Sequence, residues 1–268
     1  MKGLDYMEKN KNTKIIAIAN EKGGVAKTTS AINIAAGLSD RGKNVLLVDM
    51  DSQAHLSDWL DFSFDGKPTI SEYIYQTVAK FSITPEEYIR HNSKLKLDFI
   101  PATQMLAGVV TTLGVDSESA TVLSRMFSAE FFNKYDFIII DCGPTLDLRV
   151  TNAIICSDIL LIPVQADPLA YKGTDNMLKT YLRIKSTASI NNDVIILPTM
   201  YHNTNIGNAI LEALKSSYGK LVQAPIPYRT VAVNSSAQKS ILIKRKSDDI
   251  GRAYMRVVDY LIGGDNNG

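Results

Sequence analysis

Between Asn20 and Thr29 the chain reads Asn-Glu-Lys-Gly-Gly-Val-Ala-Lys-Thr-Thr. Paired glycines, two lysines and adjacent hydroxyls in so short a stretch suit one task above others, holding phosphate. An apolar run, Ile15 to Ala19, precedes the stretch, and an amphipathic segment, Ser30 to Leu38, follows it. The order is strand, turn, helix. A turn in that place aims backbone N–H groups at a phosphate, and the helix N-terminus adds positive potential. Lys27 would reach the outer phosphates of a nucleotide, and the Thr28 hydroxyl would ligate Mg²⁺. The general phosphate-loop spacing is not met. Glu21 stands where its first glycine belongs, and Ala26 replaces the glycine before the lysine. If position 26 takes a positive φ, alanine costs about 1 kcal/mol more than glycine. A cost of that size could alter loop geometry without abolishing binding.

Phosphoryl transfer needs an in-line water and a metal rather than a covalent nucleophile. Carboxylates at strand ends can serve both. Asn44 to Val48 reads as a buried parallel strand, and it runs into Asp49-Met50-Asp51-Ser52-Gln53. In an open parallel sheet such strand-end residues lie beside the phosphate turn. Farther along, Phe137 to Ile140 is a second apolar run that ends in an acid, Asp141. That pattern would hold Mg²⁺ through water.

A better fit to the glycine-rich turn is the deviant form K-G-G-x-G-K-T-T, in which Lys22 is the extra lysine. Here the chain resembles the ParA/MinD family of P-loop ATPases, and within it the ParA (Soj-type) DNA-partition ATPases. The resemblance runs from about Lys14 to about Leu261. It implies that Gly23, Gly24, Val25, Ala26, Lys27, Thr28 and Thr29 cradle the phosphates of ATP. It implies that Thr28, Asp49 and Asp141 lie at Mg²⁺, and that Asp51 orients or activates the attacking water. Lys22 is then expected to reach the phosphates of a partner subunit in a face-to-face homodimer. Met200, after the strand Val194 to Met200, and Pro227, in Pro225 to Arg229, are the expected adenine contacts. The family's further partners would be non-specific DNA and a ParB-type centromere-binding protein that stimulates slow hydrolysis. A cytoplasmic, nucleoid-associated location goes with that reading.

The chain departs from the family pattern in several places. Ser52 replaces the proline of D-x-D-P-Q, and Cys142-Gly143-Pro144-Thr145 replaces A-P-P-S. Two expected DNA-binding arginines are missing, one after Tyr201-His202-Asn203-Thr204-Asn205 and one near Val231. Basic residues nearby that could take their place are Arg229, Lys239, Lys244, Arg245 and Lys246. From Asn205 onward there are nine Lys/Arg against five Asp/Glu, whereas residues 1–204 carry 20 against 23. Three phosphate contacts would give a salt slope near −3 through counterion release. Cys142 lacks the second cysteine of the related iron–sulfur proteins. His202 reads as a surface or turn residue. Three rivals stay open: a MinD-like spatial regulator at a membrane, a metabolic P-loop ligase, and an ATP-binding switch that does not hydrolyse.

Several elements must place these residues. At 268 residues, 45% hydrophobic and 21% charged, the chain is ordinary for a globular protein, and its net charge of +1 announces no nucleic acid. Its two cysteines, Cys142 and Cys156, have no metal spacing. No apolar core of a signal peptide and no membrane-length apolar run is found. The expectation is an α/β fold, a doubly wound, mostly parallel twisted sheet with helices on both faces. It would form a single P-loop domain over 14–262, between a flexible leader, 1–13, too short for a helix-turn-helix, and a flexible tail, 263–268. The ending Gly-Gly-Asp-Asn-Asn-Gly lacks the basic amphipathic segment of membrane-cycling relatives, so no membrane is expected as a partner. Thr84-Pro85-Glu86-Glu87 predicts a helix start, Leu95 to Ile100 a strand, and Glu118 to Asn133 one helix with Val122, Leu123, Met126, Phe127 and Phe131 inward. Strand 158–165 and helices 169–185 and 248–262 complete the pattern. Trp59, Phe62, Phe64, Tyr73 and Tyr75 read as packing residues.

Overall fold

The computed structural model describes residues 13–167, 170–235 and 237–263. Seven strands form one sheet: β1 Lys14–Ile18, β2 Val45–Met50, β3 Arg90–Asn92, β4 Leu97–Ile100, β5 Phe137–Cys142, β6 Ile159–Gln165 and β7 Asp193–Thr199. Their order is β3-β4-β2-β5-β1-β6-β7. All neighbours pair in parallel except the edge strand β3, which runs antiparallel to β4. The helices are α1 Lys27–Asp40, α2 His55–Trp59, α3 Ile70–Val78, α4 Val109–Val115, α5 Val122–Phe127, α6 Leu148–Cys156, α7 Ala170–Ala188, α8 Asn205–Tyr218, α9 Thr230–Val233 and α10 Asp249–Ile262.

Strand alternation divides the core in two. Ile15, Ala17, Leu46, Val48, Ile138 and Ile140 face one layer, with side chains of α3 to α7. Ile16, Ile18, Val45, Leu47, Phe137 and Ile139 face the other, with α1 and α10. A strand buried on both faces reads as a continuous apolar run, and β5 is the clearest case. The doubly wound expectation therefore holds, with one antiparallel edge strand that the sequence pattern did not give. α1 packs tightly at Gly37, where a Cβ would collide with the side chains of Ile243 and Val258.

Two predicted helices come out differently. The segment 118–133 is broken into α5 and a 3₁₀ turn, Glu130–Lys134. Ala129 is extended at φ −63°, ψ 138°, and the Ser128 hydroxyl donates to the Arg125 carbonyl at 2.8 Å. At the other end, Asn152 accepts from the Leu123 N–H and donates to the Ser119 carbonyl, so a side chain takes over backbone bonds that a longer helix would make. The break moves Phe132 rather than Phe131 into full burial. Pro85 starts only a single 3₁₀ turn, Pro85–Tyr88, because Ile89 is already extended toward β3. Tyr88 there stacks on Tyr73 at 4.3 Å. Of the five aromatics read as packing residues, Trp59 and Tyr73 are buried and Phe62 and Tyr75 partly so, but Phe64 is 70% exposed.

Candidate functional site

The phosphate-type turn leaves β1 in the middle of the sheet and enters α1 at Lys27. Ala26 sits at φ 67°, ψ 35°, so the position does take the left-handed conformation that alanine tolerates poorly. Gly24 is also left-handed, at φ 75°, and a Cβ built on Gly23 or Gly24 meets nothing within 4 Å. The turn is thus an open cradle with room above its backbone. Side chains fix it from three sides. Asn20 donates to the Pro163 carbonyl of β6 at 2.7 Å and accepts from the Lys22 N–H at 3.0 Å. Thr199, at the end of β7, donates to the Val25 carbonyl at 3.1 Å. Asn176 of α7 donates to Glu21 at 2.8 Å. The Lys22–Asn20 contact is local, but the other three tethers were not legible in the sequence, because each joins residues far apart along the chain.

Lys27 is buried, and its Nζ donates to the Lys22 carbonyl at 3.0 Å. Burial lowers its pKa, while the nearby Asp141 and Asp51 carboxyl groups pull the other way. The acidic residues come from adjacent strands. Asp49 and Asp141 are register partners across β2 and β5, and each is 1% exposed. Desolvation pushes the Asp49 carboxyl up to about 6, against hydrogen bonds that favour its charge. Its Oδ2 accepts from the Ser57 hydroxyl at 2.7 Å and the Ser57 N–H at 2.9 Å, and its Oδ1 accepts from the Asp51 N–H at 3.1 Å. Ser57, which sequence reasoning missed, also accepts from the Ala102 N–H at 2.9 Å, so Asp49 helps hold three segments together.

Asp141 differs. Burial, then the nearby Asp49, raise its pKa well above the usual carboxylate range. The Thr28 hydroxyl lies near enough to favour its charged form, yet neither carboxylate oxygen has a partner with hydrogen-bond geometry. Buried polar atoms are normally partnered. Two orphan oxygens beside a threonine hydroxyl, under an open cradle and near a buried lysine, are a donor set that fits a hard divalent cation. Asp51 also lies close, since its charge enters the balance at both Lys27 and Asp141. The structure therefore brings Lys27, Thr28, Asp49, Asp51 and Asp141 to one edge of the sheet. Lys22 lies at the rim, paired with Asp167 of its own chain at 2.6 Å. Met200 follows β7 at φ 52°, and the next residue, Tyr201, bridges to Pro227, so the two segments carrying these residues run side by side.

The basic residues form no single cluster. Arg229 pairs with Asp249 and Arg245 with Asp248, so both flank the start of α10. Lys244 pairs with Asp40 at the end of α1. Lys239 lies apart, between Asp58 and Asp61. Lys246 is exposed. His202 is exposed and stacks on Tyr228 at 4.4 Å. Cys142 is buried, and burial pushes its thiol up. A cavity of about 1070 Å³ opens at the other end of the strands, near Ile15, Asp158 and Asp193, and holds none of the phosphate-turn residues.

A parallel sheet that delivers a lysine-bearing turn and strand-end aspartates to one edge defines a P-loop NTPase. Comparison with known proteins narrows the class. A family model described as an AAA domain matches residues 13–196. The sporulation initiation inhibitor protein Soj of Bacillus subtilis is 34% identical over 83% of this chain and 87% of its own length. The chromosome partitioning protein ParA of Myxococcus xanthus is 34% identical over 82% of this chain and 77% of its own. A crystal structure of cobyrinic acid a,c-diamide synthase from Mycobacterium smegmatis, with bound ADP and magnesium, aligns at a TM-score of 0.79 and 27% identity, covering 93% of this chain and 94% of that one. The chain belongs to the ParA/Soj family of partition ATPases. Among the described residues, no helix is long and apolar enough to cross a membrane.

Proposed function

We propose that this chain binds ATP with Mg²⁺, hydrolyses it slowly, and uses the cycle to switch DNA binding during partition. The observation that carries the reading is Asp141, buried with both oxygens unpartnered beside Thr28 and near Lys27. Such a carboxylate is costly in the free protein and becomes favourable once a cation arrives. Thr28 and Asp141 would hold Mg²⁺, with Asp49 behind them. The metal supplies charge neutralisation for the phosphate oxygens. Lys27 leaves the Lys22 carbonyl to meet the outer phosphates, and the first-turn N–H groups of α1 face the same anion. Asp51 orients the attacking water and favours its deprotonation. Met200 and Pro227 would offer the base an apolar slot.

Lys22 would leave Asp167 and contribute positive charge to the partner subunit's phosphates in an ATP-bound homodimer. That dimer binds DNA without sequence preference, through Arg229, Lys239, Lys244, Arg245 and Lys246. A ParB-type protein stimulates hydrolysis, and the ADP or nucleotide-free form releases DNA, in the cytoplasm on the nucleoid. The switch is a change in which state is populated. The test is anisotropy of a random-sequence duplex with ATP·Mg²⁺, with ADP and without nucleotide, across a salt series. Tight, salt-sensitive binding only with ATP is expected. Binding of ATP with no DNA binding in any state would sink the DNA step.

A further inference from the structure

We infer that Gly143 is a positioning residue for Asp51: its missing side chain is the space in which the Asp51 carboxylate rests. This rests on the role proposed for Asp51. Gly143 is buried and follows β5 directly after Asp141 and Cys142. A Cβ built on it would lie 3.1 Å from both Cγ and Oδ1 of Asp51, and 3.5 Å from Oδ2. All three of the heavy atoms nearest that position belong to the Asp51 carboxylate. The φ of Gly143 lies outside the left-handed range, so the backbone does not itself require glycine.

On its other side Asp51 is tethered through its own segment. Its N–H donates to Asp49, and its Oδ1 accepts from the Gln53 N–H at 3.0 Å. The carboxylate is therefore set between a turn on β2 and a bare stretch of backbone after β5. Positions 52 and 143, where the chain has serine and glycine in place of the family's prolines, belong to these two segments. Adding one methyl group at 143 displaces the carboxylate by a few tenths of an ångström. Misplacement by about 1 Å can cost about 10²-fold in rate, so a shift of that smaller size should cost roughly three- to tenfold.

The experiment measures phosphate release and ATP affinity for the full chain, for Gly143→Ala, for Asp51→Asn, and for the double variant. Gly143→Ala should lower kcat roughly three- to tenfold, with ATP affinity changed less than twofold. In the Asp51→Asn background the same substitution should change kcat no further, because the group it displaces has lost its function. Three outcomes would overturn the inference: an unchanged kcat in Gly143→Ala, an equal loss in both backgrounds, or a variant that no longer binds ATP or melts cooperatively. Absence of turnover in the unaltered chain would instead overturn the role of Asp51, and the inference with it.

Discussion

The two charged regions of this molecule are built on opposite principles. At the phosphate edge, Lys27, Asp49 and Asp141 are each under a tenth exposed, and neither oxygen of Asp141 has a partner with hydrogen-bond geometry. Around the start of α10 and the end of α1, Arg229, Lys244 and Arg245 are exposed, and each already has a carboxylate. Burial raises the cost of a lone charge by several kcal/mol, whereas an exposed pair is worth about 0–1 kcal/mol. On the proposed reading, the first region stores free energy that a bound cation would release. The second stores almost none, so its residues can exchange an aspartate for a phosphate at little cost. That contrast is what the proposed function would need: a tight, geometrically demanding site for nucleotide and a weak, sequence-indifferent one for DNA.

The comparison can be broken most forcefully at Lys27. Lys27→Ala should reduce ATP turnover by about 10³-fold or more, because a buried cation at the transferring phosphate has no substitute; phosphate release checks this. A residual rate within tenfold would mean the phosphate edge is not the reacting centre. Asp141→Asn tests the stored energy directly. With the orphan charge removed, the nucleotide-free protein should gain about 1–3 kcal/mol, measured by urea unfolding at pH 8, while Mg²⁺·ATP should no longer raise its midpoint.

The same balance sets a pH dependence. Both Asp49, pushed up to about 6, and Asp141, pushed up further by burial, have folded pKa values above the unfolded value near 4. Their contribution favours the fold below that unfolded value and is withdrawn as pH rises through the folded values, which for Asp49 is near 6. Stability of the nucleotide-free chain, relative to Asp141→Asn, should therefore fall as pH rises above about 4. Mg²⁺·ATP should flatten that difference.

Two smaller effects sharpen the contrast. Ala26→Gly relieves a left-handed alanine and should raise stability by about 0.5–1 kcal/mol; a simultaneous gain in turnover would show that Ala26 slows the reaction. At the basic region, Lys244→Ala should change stability by less than about 0.5 kcal/mol. It should also lower the salt slope of ATP-dependent DNA binding by about 1. A large loss of stability there would mean the pair with Asp40 is structural, and the two regions would be less different than they look.

How much was legible beforehand follows the same division. The glycine-rich turn, its lysines and the strand-end aspartates are local patterns, each set by the residues next to it, and so were readable together with the alternation of apolar strands. The break at Ala129 was not, because the apolar spacing of 118–133 is helical, and it is Asn152, from another helix, that takes over the bonds near Leu123. Nor was the edge strand β3, whose three residues, Arg90, His91 and Asn92, are all polar.

The sequence by itself determined the ingredients of the chemistry: a lysine-bearing glycine-rich turn, and acids at the ends of two apolar strands, in fixed order along the chain. Only the tertiary structure decided which of those charges is unsatisfied. Asp49 is held by Ser57 and Asp51, and Lys22 by Asp167, while Asp141 is left bare. It also decided that Asp51 lies against Gly143. A residue type and its neighbours fix what a side chain can do. Whether it has a partner depends on chain segments tens of residues away, and those meet only when the sheet closes.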